Sequence, residues 1–196
     1  YQRRRAAVLA QMHAQGGGVA IIPTAPEVMR NADADYPYRH DSSFYYLTGF
    51  TEPDALLVLV AGAEDQSVLF CRDKNLEREI WDGIRLGPKA APAALGVSQA
   101  FSVDTLVKTM PQLLTNQPAV WFPFATHKGL ETQVDGWLHQ VRARVRYGTL
   151  CPEQQRDLCG LLDEMRLVKD AHEQDTMRRA ARISAHAHIR AMQTSA

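Results

Sequence analysis

Cysteine is scarce: Cys71, Cys151 and Cys159 are the three in 196 residues. They are odd in number and form no C-x-x-C pair. That fits reduced thiols in a cytosol better than a disulfide framework or a zinc site. Long apolar runs are missing too. The longest, residues 55–62 and 18–23, fall far short of the roughly 20 residues that cross a bilayer. The basic start Tyr1-Gln2-Arg3-Arg4-Arg5 has the flank of a signal peptide, but no sustained apolar segment follows it. A cytoplasmic, unexported protein with no membrane partner is the expectation. No charge of one sign dominates, since 22 Lys and Arg oppose 22 Asp and Glu. Nucleic-acid binders carry a basic stripe against phosphate, so no nucleic-acid partner is expected. Internal repeats and low-complexity tracts are also absent.

What is present is enough for a core, with 45% hydrophobic residues. Val8, Leu9 and Met12 predict a helix over residues 3–15, stopped by Gly16-Gly17-Gly18. Residues 19–23 read as a buried strand. Residues 25–39 read as irregular, broken by Pro26 and Pro37. Asp41 caps a short helix that Gly49 ends. Residues 55–60 and 67–72 form a hairpin. Helices are expected at 76–82, 90–95, 104–114, 130–141 and 152–165, the last with Pro152 at its start. Strands are expected at 119–122 and 143–147. A final helix begins near residue 171, with Met177, Ala181, Ala185, Ile189 and Met192 in one stripe. It lacks a C-terminal stop and a partner for that stripe, so the chain is expected to be the front of a longer protein; docking of this helix on its own domain is the alternative. The alternation gives an α/β fold with one central sheet, mixed because of the hairpin.

Most chemical constellations fail. Asn31-x-Asp33-x-Asp35 begins like a calcium loop, but Tyr36 stands where glycine is required and Ser42 where the bidentate glutamate belongs. The triple glycine follows a helix and precedes a strand, the reverse of a phosphate-binding loop. Gly96-Val97-Ser98-Gln99-Ala100 is a nucleophile elbow without its second glycine, and a serine in a turn is the better reading. His186 and His188 lie two apart on a helix, on opposite faces.

Two segments carry more. Residues 25–53 are long, irregular and rich in aromatics, Arg and Asp, holding four of the six tyrosines. Such a stretch suits an interface, or a loop pinned to the core by its own aromatics. Glu79-Ile80-Trp81-Asp82-Gly83-Ile84-Arg85-Leu86-Gly87 sets Trp81 between acidic residues near a glycine. Trp81 there lines a pocket or interface, or else covers the sheet edge.

Together these segments resemble the N-terminal domain of Xaa-Pro aminopeptidase P, of the creatinase/prolidase or "pita-bread" family. The matching stretches are Gln2-Arg3-Arg4-Arg5, Ala25-Pro26-Glu27-Val28, Ala32-Asp33 with Asp35-Tyr36-Pro37-Tyr38-Arg39, residues 41–53, residues 79–87, Leu95-Gly96-Val97 and Glu164-Met165-Arg166-Leu167-x-Lys169. The resemblance implies a ribonuclease-H-like domain over residues 1–167, a mixed sheet flanked by helices, with the start of a truncated catalytic domain at 168–196. It implies a peptidase that removes the first residue from peptides with proline in second position. By the same resemblance two Mn²⁺ ions, held by two Asp, a His and two Glu, would do the chemistry, and no such series follows Lys169. This chain alone is therefore expected to be inactive. The resemblance further implies self-association, as homotetramer or dimer, with this domain covering a neighbour's active site. Asp33 and Trp81 would reach that site by motif match, and Arg146 by spacing back from residues 165–167. Two other readings stay open: a peptide- or protein-binding module without catalysis, and creatinase or prolidase chemistry on the same scaffold.

Overall fold

Two apolar runs, Gly18–Pro23 and Leu56–Ala61, form the centre of a six-stranded sheet in the computed structural model, which describes residues 1–195. In chain order the elements are α1 (Gln2–Ala14), β1 (Gly18–Pro23), β2 (Met29–Asn31), β3 (Ala34–Asp35), α2 (Ser42–Thr48), β4 (Leu56–Ala61) and β5 (Gln66–Cys71). Then come α3 (Leu76–Asp82), α4 (Gly87–Leu95), β6 (Gln99–Ser102), α5 (Leu106–Leu114), β7 (Ala119–Phe122), α6 (Leu130–Arg142), β8 (Gln154–Asp157), α7 (Cys159–Leu167) and α8 (Ala171–Thr194). The strand order is β6-β5-β4-β1-β7-β8. Strand β4 runs antiparallel to both neighbours, and the other pairings are parallel. This is the mixed α/β sheet expected from the sequence.

Side chains alternate across each strand, so each central strand feeds two apolar layers. Val19, Ile21, Val58, Val60, Val120 and Phe122 join Met110 and Leu114 of α5 and Val134, Trp137 and Val141 of α6 in one cluster. The intervening Ala20, Ile22, Leu57 and Leu59 are equally buried and face the side where α1 packs on β4 and α2 on β1. The triple glycine does more than stop α1. A Cβ on Gly17 would lie 2.6 Å from the Ala61 carbonyl oxygen, and one on Gly18 would collide with the Ala119 carbonyl. Both residues have positive φ, so only glycine lets the chain enter the sheet there.

Helix α2 forms as its caps dictate. The Asp41 carboxylate accepts the Ser43 and Phe44 N–H groups, each at 2.8 Å, and Gly49 closes the helix in the left-handed region. Arg5, 3% exposed, ties α1 to two other helices. It donates to the carbonyl of Leu47 at 2.8 Å, Leu95 at 2.9 Å and Gly96 at 2.6 Å. These carbonyls end α2 and α4, where backbone acceptors lack intrahelical partners and a cation suits the helix dipole.

Five expectations need correction. Residues 143–147 form no strand: Val145–Tyr147 is a 3₁₀ turn closed by Gly148. The alternation of Ala143, Val145 and Tyr147 with arginines imitates a strand, but Val145 and Tyr147 are exposed and nothing pairs with them in the sheet. Residues 152–165 are not one helix. Polar Gln154–Asp157 becomes edge strand β8 through pairing with β7, and α7 starts only at Cys159. Strand β6 arises at residues 99–102, beginning inside the stretch 96–100 that was read as a turn, by parallel pairing with β5. The irregular segment 25–39 contains the small hairpin β2–β3. The helix expected over 104–114 is a 3₁₀ turn, Val103–Thr105, followed by α5.

The described chain divides into two compact units, Tyr1–Leu161 and another from Leu162 onward. In the second, α8 opens with a capping box: the Asp170 carboxylate accepts the Glu173 N–H at 2.9 Å, and the Glu173 carboxylate accepts the Asp170 N–H at 3.0 Å. Met177, Ile189 and Met192 of the expected stripe are exposed. Ala196 lies outside the described residues, so the expected run of this helix to the chain end is described only to Thr194.

Arg5→Met removes three charge-assisted bonds and strands three carbonyls, and should destabilise the chain by roughly 2–3 kcal/mol, read as a lower urea midpoint. Burial, with the nearby Glu52 and Asp73 carboxylates adding to it, pushes the Cys71 thiol up to about 12. At pH 8 an alkylating reagent should therefore modify partly exposed Cys159 well before Cys71, which reacts only on unfolding; mass spectrometry checks the order.

Candidate functional site

The singled-out segments lie at the same ends of the strands where loops leave β1 and β5. In residues 24–50 the aromatics divide. The Tyr38 hydroxyl donates to the Ala25 carbonyl at 3.0 Å and meets the Thr24 hydroxyl at 2.7 Å. Phe44 and Phe50 are buried edge to face against each other. These residues pin the loop. Tyr36 stays exposed, with the Arg30 guanidinium 5.9 Å from its ring centre. The reading of a loop pinned by its own aromatics thus holds for Tyr38, Phe44 and Phe50, while Tyr36 is left on the surface.

Asp33 occupies the turn of the β2–β3 hairpin and is exposed. Sequence reasoning placed it in an irregular loop; the hairpin gives it a defined perch. Trp81 lies on α3 with 84% of its surface exposed, so it does not cover the sheet edge. Arg146 is exposed in the 3₁₀ turn after α6, its guanidinium 5.6 Å from the Tyr147 ring centre. No hydrogen bond, ion pair or ring contact among the described residues joins any two of the three.

Helix α3 owes little to apolar packing. None of its residues is buried, and Leu76, Ile80 and Trp81, with Ile84 just beyond, face solvent. Its start is fixed by the Asn75 side chain, which accepts the Arg78 N–H at 3.1 Å. Its end is fixed by Arg85, which donates to Asp82 at 3.0 Å and to the Asp73 carbonyl at 3.4 Å. Beyond it, the Leu86 N–H donates to Glu52 at 2.7 Å, and Arg72 at the end of β5 lies 3.9 Å from the same carboxylate. The sequence reading did not single out Glu52, Arg72 or Arg85. Glu52 and Arg85 both fall inside the matched stretches, but their spacing of 33 positions gives no local signal.

Two clefts open beside these loops. One of about 470 Å³ is lined by Asp54, Arg72, Asp73, Lys74, Asn75 and Arg85. Another of about 460 Å³ includes Thr24, Leu56, Leu106, His127 and Leu130. Neither contains a nucleophile paired with a base. Among the described residues no group of three or more His, Cys, Asp or Glu could hold a metal ion. No described helix is long and apolar enough to cross a membrane.

Residues 1–121 match the family model of the aminopeptidase P N-terminal domain. The chain belongs to that family. Xaa-Pro aminopeptidase of Escherichia coli is 41% identical over 195 residues, 98% of this chain and 44% of the relative. The structure of the Pseudomonas aeruginosa aminopeptidase PepP superposes with a TM-score of 0.92 at 40% identity, over 97% of this chain and 43% of that one. A zinc-substituted E. coli aminopeptidase P in complex with product gives the same TM-score, 0.92, at 41% identity and the same coverage. The chain thus spans less than half the length of the relatives it matches. This aminopeptidase P N-terminal domain displays Trp81 outward on a helix none of whose residues is buried.

Replacing an exposed side chain with no packing role changes stability little, so Trp81→Ala should unfold within about 0.5 kcal/mol of the parent in urea. A larger loss would mean that Trp81 belongs to this domain's own core.

Proposed function

We propose that this chain is the non-catalytic front domain of a metal-dependent Xaa-Pro aminopeptidase, which hydrolyses the first residue from peptides with proline in second position. The exposed Trp81 on a polar-anchored helix carries this reading. An indole offers a flat apolar wall suited to a proline ring, and an isolated monomer gains nothing from leaving it in water. Residues 1–167 form the front domain in this proposal, and 168–196 begin the catalytic one. The metal pair, manganese, belongs to sequence beyond this chain, and the chain by itself hydrolyses nothing.

Self-association, as tetramer or dimer, brings one subunit's front domain over its neighbour's active site. Trp81 there packs against substrate, Asp33 accepts from polar or cationic substrate groups, and Arg146 donates to substrate acceptors. The three cysteines in no disulfide suit a reducing compartment, and we place the protein in the cytoplasm. A binding module of the same family is the second reading, because the exposed Trp81 would suit a peptide or protein partner without catalysis as well.

The full-length protein supplied with Mn²⁺ should release the first residue of an Ala-Pro-Ala peptide, followed by chromatography, and Trp81→Ala should lower kcat/KM by about tenfold. No release by the full-length protein leaves the binding module standing. Equal kcat/KM in the two forms removes Trp81 from the substrate wall.

A further inference from the structure

We propose that Glu52 is a positioning residue for Trp81, a role that rests on the substrate-side reading of that tryptophan. Segment 73–85 holds itself together by local contacts: Arg85 to Asp82 and the Asp73 carbonyl, Lys74 to Glu79 at 3.6 Å, and Arg78 to Asp82 at 3.3 Å. These make the segment a unit but do not orient it against the sheet. With no residue of α3 buried, apolar packing does not orient it either.

Glu52 comes from the loop before β4, outside the segment. Its carboxylate meets both margins of the unit, accepting the Leu86 N–H at 2.7 Å just past Arg85 and lying 3.9 Å from Arg72 just before Asp73. The side chains of Glu52 and Arg72 are 16% and 14% exposed, so this contact is shielded from water far more than a surface ion pair. One carboxylate therefore closes the base of the excursion that carries Trp81, while the sheet beneath has its own apolar core. Loss of this carboxylate should free the excursion and leave the core intact.

The test uses the full-length protein. In Glu52→Ala, amide exchange over residues 76–86 should rise by about tenfold while exchange in β1 and β4 stays at the parent rate. With Ala-Pro-Ala and Mn²⁺, KM should rise by about three- to tenfold with kcat within about twofold, as for a lost binding wall. Glu52→Gln still accepts the Leu86 N–H and should keep exchange within about threefold of the parent. In a Trp81→Ala background, Glu52→Ala should change KM no further, because both substitutions act through one side chain. Unchanged exchange over 76–86 in Glu52→Ala overturns the positioning role, as does a full additional KM effect on top of Trp81→Ala. If Trp81→Ala itself turns over like the parent, the substrate-wall reading falls, and the exchange measurement alone decides whether Glu52 orients α3.

Discussion

Strand β1 is paired on both sides, antiparallel to β4 with Ile21 opposite Val58 and parallel to β7 with Val19 opposite Val120. From Gly18 to Ile22 it is buried throughout. A strand in that position has no freedom of register, because a slip of one residue would exchange the two faces and carry every side chain into the wrong layer. The glycines before it enforce the same register from the backbone, since Gly17 and Gly18 approach the carbonyls of Ala61 and Ala119 too closely for a Cβ. Helices α1 and α2 on one face and α5 and α6 on the other are placed by what β1 and β4 present. The loops that carry Asp33 and Trp81 leave from the ends of this fixed core.

Local signals were legible wherever one short stretch decides the outcome. Asp41 and Gly49 bound α2 because a carboxylate and a glycine satisfy its orphan groups within the helix itself. The runs at residues 56–61 and 66–71 form a hairpin because both are apolar and close in sequence. Elements chosen by a distant partner were not legible. Gln154–Asp157 has no strand composition and becomes a strand because β7 offers an edge. Arg144, Val145 and Arg146 alternate like a strand, yet no strand of the sheet pairs with them, and Val145–Tyr147 coils into a 3₁₀ turn.

The candidate site shows the same division. Trp81 drew notice because a tryptophan between carboxylates is unusual in sequence, and it is exposed. The polar base of its helix was invisible, since Glu52, Arg72 and Arg85 meet only through the fold. Resemblance to a family named the residues that face outward. It did not name what holds them there, because a carboxylate bonded to a backbone N–H leaves no motif.

The chemistry of that base follows from what it must hold. An apolar anchor for α3 would bury the helix face, and with it Leu76, Ile80 and Trp81, removing the indole from any partner. Polar contacts at the margins, from Asn75, Arg85 and Glu52, orient the helix while its apolar side chains stay in water. Each exposed apolar group is a standing cost in the isolated domain, on the order of 25 cal/mol per Å² relative to burial. An indole held in this way keeps its apolar face free for a partner, which is what the proposed contact with a proline ring requires.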